Sequence, residues 1–73
     1  MATDPLMTVI DRDGYEYLEV QHPDYLTAVQ QELQAGSSPD EIRRKVLRLA
    51  GPDRLALAMR CAQAARHMAR MED

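Results

Sequence analysis

The sequence predicts a mainly α domain with small α+β character: an N-terminal β-hairpin packed on a three-helix bundle whose last helix is long. Three observations carry this. Proline punctuates the start of three stretches, at Pro23, Ser38-Pro39 and Pro52. Proline suits a first helical turn because the N–H it lacks would have no partner there. Within each stretch the apolar residues recur at three- and four-residue spacing, the signature of one helix face. Upstream, Asp13-Gly14 stands between two β-prone runs, where glycine accepts the positive φ of a tight hairpin turn.

Residues 1–6 read as a flexible end, and the hairpin spans residues 7–20. A two-residue turn at Asp13-Gly14 sets Val9 opposite Leu18 and Met7 opposite Val20 on one face, with Ile10 opposite Tyr17 on the other. It also sets Asp11 opposite Glu16, and like charges there are unfavourable. A rival reading takes Asp13 as an N-cap with Glu16 three residues on, opening a short helix that stops before Pro23. A hairpin alone is marginal in water, so it must lean on the helices.

The first predicted helix spans 23–35. Asp24 favours its positive start, its stripe is Tyr25, Leu26, Val29 and Leu33, and Gly36 ends it. The second spans 39–50. Ser38-Pro39-Asp40-Glu41 is a capping box, with the serine accepting an orphan amide and Glu41 reaching back. Its stripe is Ile42, Val46, Leu49 and Ala50, and Gly51 closes it. The third spans 52–71 and carries two apolar rows. One is Leu55, Ala58, Ala62, Ala65 and Ala69; the other is Leu57, Cys61, Ala64, Met68 and Met71. Asp53, Arg60, Gln63, His67 and Arg70 form its polar stripe.

A chain of 73 residues is read as one small domain, 1–73, with a limited core. That size leaves little room for a supported catalytic cleft. Uninterrupted apolar runs are far shorter than the roughly 20 residues a membrane span needs. The N-terminus has neither the basic nor the apolar region of a secretory signal. A lone Cys61 cannot staple a secreted fold, which points to a reducing cytoplasm. The formal net charge is −3, with 29% charged residues, and it is unevenly spread. Residues 1–41 hold nine acids and one base, −8; residues 42–73 hold eight bases and three acids, +5. This asymmetry is read first as attraction between the two halves.

Candidate chemistry is sparse. Asp11 and Asp13 before Gly14 resemble part of a calcium loop, but Val9 and Val20 would occupy positions that need oxygen ligands. His22, His67 and Cys61 show no structural-zinc spacing. His67-Met68-Ala69-Arg70-Met71 offers soft ligands, better explained as core or contact face. Cys61 falls on an apolar face, where a thiol is inert. No nucleophile elbow or glycine-rich phosphate loop is present. The expectation is a protein without catalysis, cofactor, metal or small-molecule substrate.

The two shorter helices and the hairpin together offer barely enough apolar surface to cover both rows of the last helix. If they fall short, the row Leu57, Cys61, Ala64, Met68 and Met71 is left for another protein or a second copy. The predicted function is therefore a small cytoplasmic interaction or regulatory accessory protein. It would dock or dimerise through that row, its arginines selecting an acidic partner. The alternative rests on Arg43, Arg44, Lys45, Arg48, Arg54 and Arg60. Two helices about a glycine turn outline a helix-turn-helix, with Ala56, Arg60, Gln63 and His67 meeting a major groove. The net acidity and Asp53 at the helix tip oppose it. A sub-case of partner binding has Asp11, Asp13, Glu16, Glu19 and Asp24 mimic nucleic acid in another protein's basic groove.

Overall fold

A computed structural model of the chain describes residues 5–71. Four α-helices follow one another: α1 (Pro5–Gln21), α2 (Pro23–Gln34), α3 (Pro39–Ala50) and α4 (Leu55–Met71), the last entered through a 3₁₀ turn at Pro52–Arg54. The start of α3 forms the serine half of the predicted capping box. The Ser38 hydroxyl accepts from the Glu41 amide at 3.2 Å and donates to the Glu41 carboxylate at 3.2 Å. Beyond the end of α2, Gly36 at φ +95° lets its own amide reach the Leu33 carbonyl and the Ser37 amide reach that of Glu32. Gly51 holds φ 93° and ψ 159°, a region only glycine occupies readily, and so turns the chain sharply into α4. Among the described residues no helix is long and apolar enough to cross a membrane.

No strand occurs among the described residues, and the predicted hairpin over 7–20 is replaced by α1. The expected loose end at 1–6 falls partly on residues 1–4, outside the described residues, and Pro5 and Leu6 already belong to α1. The rival short helix is right about the stop before Pro23 and wrong about an Asp13 cap, since Asp13 lies inside α1. The physical reason is helical periodicity. Asp11, Gly14 and Leu18 share one face of α1 and are buried together. The hairpin would have wasted that face by setting Asp11 against Glu16. Gly14 is not a turn residue either, since it lacks the positive φ of Gly36 and Gly51. It marks where two helices meet: a Cβ built there would lie 2.6 Å from Gln63 Cβ and 3.2 Å from the Arg60 carbonyl oxygen on α4.

α4 is the central element, and α1, α2 and α3 all pack against it. Its buried residues are Leu57, Ala58, Cys61, Ala62, Ala64, Ala65 and Met68. Alanines on this helix admit three neighbours at close range. Leu18, Val29, Ile42 and Val46 complete the core from the other helices. α2 and α3 share few contacts with each other, so a furrow remains between them. α1 and α2 are joined by His22 alone, whose ring sits 5.6 Å from that of Tyr17 and 5.8 Å from that of Tyr25.

Candidate functional site

The row chosen from the sequence as a docking face lies mostly inside. Leu57, Cys61, Ala64 and Met68 are buried, and Met71 alone is exposed. In this arrangement the row meets the chain's own helices. Cys61 has no accessible surface, and burial pushes its thiol up to about 11, so it stays protonated at neutral pH. Native protein is therefore expected to resist a thiol reagent such as DTNB until denaturant is added. Rapid labelling of the native protein would show that the row opens to solvent.

The polar stripe of α4, which a groove-reading helix would present to a duplex, is engaged by α1. The Arg60 guanidinium lies 4.0 Å from the Tyr17 ring centre, a cation–π contact. Gln63 passes under Gly14. The His67 ring is 5.2 Å from that of Tyr15. Arg70 Nη2 donates to Asp11 Oδ2, and Arg66 Nε donates to Asp11 Oδ1 at 3.1 Å. Asp11 is only 1% exposed, and a buried carboxylate persists only when so partnered. Of the acids considered as a nucleic-acid mimic, Asp11 thus faces inward, while Asp13, Glu16, Glu19 and Asp24 are exposed. Arg66 carries no signal in the sequence; pairing it with Asp11 requires knowing that α1 is a helix.

The basic cluster divides. Arg43 stands 4.0 Å from Asp40, and Lys45 Nζ donates to Glu32 at 2.7 Å. The Lys45 hydrogen bond, then a 2.8 Å bond from the Ser37 hydroxyl, holds the Glu32 carboxyl below the usual carboxylate range. Apart from Arg12–Glu16, the ion pairs among the described residues each join the acidic segment 1–41 to the basic segment 42–73. Much of the charge asymmetry is thereby spent internally. Arg44, Arg48 and Arg54 are exposed and have no ion pair or hydrogen bond to another described side chain.

The furrow between α2 and α3 is the candidate site. Val29, Ile42 and Val46 form its floor, Tyr25 and Ala28 line it from α2, and the Glu32–Lys45 pair borders it. Its volume is about 110 Å³. A dry cavity of about 150 Å³ accepts one benzene, so this one suits single apolar side chains. Leu49 stands at its lip, 85% exposed. The sequence places Leu49 in the core stripe of α3, yet Leu47 and Ala50 pack inward while Leu49 does not. Two helices that converge on α4 but not on each other create this furrow, which no local motif announces. Among the described residues no group of three or more His, Cys, Asp or Glu is placed to hold a metal ion. The chain matches no protein-family model, no curated protein and no solved structure.

Proposed function

We propose that this protein is a non-catalytic interaction module whose α2–α3 furrow takes the apolar face of a partner's helix. One observation carries the reading: an almost fully exposed leucine beside an apolar furrow floored by buried Val29, Ile42 and Val46. A helix offers single apolar side chains at three- and four-residue spacing, the form such a narrow furrow accepts. A regulatory or accessory role in a reducing, cytoplasmic setting belongs to the same proposal, since the only cysteine is a buried thiol. Duplex recognition is the weaker reading, because α1 occupies the polar face of α4 and leaves Arg44, Arg48 and Arg54 for phosphate alone.

The test is an NMR titration with an uncharged amphipathic helical peptide, leucine on one face and glutamine elsewhere. Shifts are expected to centre on Tyr25, Ala28, Val46 and Leu49. Leu49→Asp should weaken binding about tenfold or more, roughly 1.4 kcal/mol, while stability stays within about 0.5 kcal/mol because the site is exposed. Absence of shifts, or shifts centred on α1, would overturn the proposal.

A further inference from the structure

We infer that the helix accepted by the α2–α3 furrow is acidic, and that Arg44 and Arg48 select it; this rests on the furrow reading above. Arg44 and Arg48 are four residues apart and form one row on the exposed side of α3. Lys45 and Leu49 form the next row, at the furrow. The other cations of α3 are engaged, Arg43 with Asp40 and Lys45 with Glu32. Arg44 and Arg48 have no such partner among the described residues. On the α2 side the furrow is lined by Tyr25, Ala28, Val29 and Glu32, and Lys45 already neutralises Glu32. Neither arginine lines the furrow itself; both stand on the adjoining row of α3, so the unpaired cations beside the furrow lie on its α3 side, while the unpaired acid Asp24 lies on α2.

A helix lying there with its leucines inward would turn one flank to α3, and carboxylates on that flank would meet two unengaged guanidinium groups. Arginine suits this, since its fork can hold a carboxylate through two hydrogen bonds. Such rim charges govern partner choice and association rate more than total affinity. A second copy fits less well. The exposed side of its own α3 carries Arg44 and Arg48, so that helix offers no carboxylate flank of the kind these arginines would select.

The experiment uses three labelled helical peptides with one leucine face and flanks of glutamate, glutamine or lysine, followed by fluorescence anisotropy at low and physiological salt. The glutamate peptide is expected to bind about tenfold tighter than the lysine peptide, an advantage that shrinks with salt. Arg44→Glu with Arg48→Glu should reverse that order while the helical circular dichroism is unchanged, since both side chains are exposed. Equal binding of all three peptides would overturn the charge inference and leave the furrow reading standing. Binding of none would overturn both. Mixed-sequence duplex DNA bound through the same arginines, without discrimination among peptides, would assign them to phosphate and overturn the inference. A concentration-dependent dimer abolished by Leu49→Asp would name a second copy as occupant, with the same effect.

Discussion

Arg66→Ala combined with Arg70→Ala lowers the unfolding free energy by about 3–5 kcal/mol, the cost of stranding a buried charge. Asp11 is the charge stranded. It is almost wholly inaccessible, and both its oxygens are bound by these two guanidinium groups. The arginines themselves are about a third exposed, at 37% and 35%, so losing the carboxylate is the milder change because they can turn to water. Folded small proteins have only about 5–15 kcal/mol in hand, so the double variant unfolds in far less urea. Adding Asp11→Leu to it should restore most of the loss, since an apolar replacement of a whole buried ionic cluster is often neutral. Urea unfolding of the three proteins checks this. A double variant within about 1 kcal/mol of the parent would show that Asp11 does not depend on α4.

Gly14→Ala is expected to destabilise by about 1–3 kcal/mol, against the intuition from helix propensity. In an exposed helix the change would gain about 1 kcal/mol. Here the added methyl would sit 2.6 Å from Gln63 Cβ, close to the backbone of α4 rather than the tip of a flexible chain. α1 must lift away, and overpacking of this kind costs about 1–3 kcal/mol. Leucine at the same position should be worse. Thermal unfolding of Gly14→Ala decides the matter, and a raised melting temperature would mean that the helices do not approach so closely.

The three downstream helices were legible because their ends are chemical. Ser38 caps the Glu41 amide and Pro39 opens α3, and Pro23, Gly36, Gly51 and Pro52 punctuate the rest. α1 was not legible. Thr8, Val9, Ile10, Tyr15 and Tyr17 favour strands locally, and Asp13-Gly14 imitates a turn. Only α4, 55 and 59 residues away at Arg66 and Arg70, gives Asp11 its partners. The same local bias of α1 toward strand bears on the site. Without α1 as a full helix, the row from Leu57 to Met71 lacked enough covering surface and read as a docking face. The polar stripe of α4 looked free for the same reason. The furrow depends on the splay of α2 from α3, and splay leaves no mark in a helical pattern. The unpaired Arg44 and Arg48 were visible as a cluster, but their separation from the engaged Arg43 and Lys45 was not.

The union of α1 with α4 also orders events during synthesis. α1 is complete at Gln21, and the guanidinium group of Arg70 is made about fifty residues later. At roughly 5–20 residues per second, that interval lasts roughly 2–10 s. Throughout it the nascent chain carries Leu18 and an Asp11 with no counter-charge, in a segment too poor in helix formers to hold its shape alone. Of these two helices the first made is thus the later to settle, and until α4 follows it α1 remains an acidic segment with an open leucine.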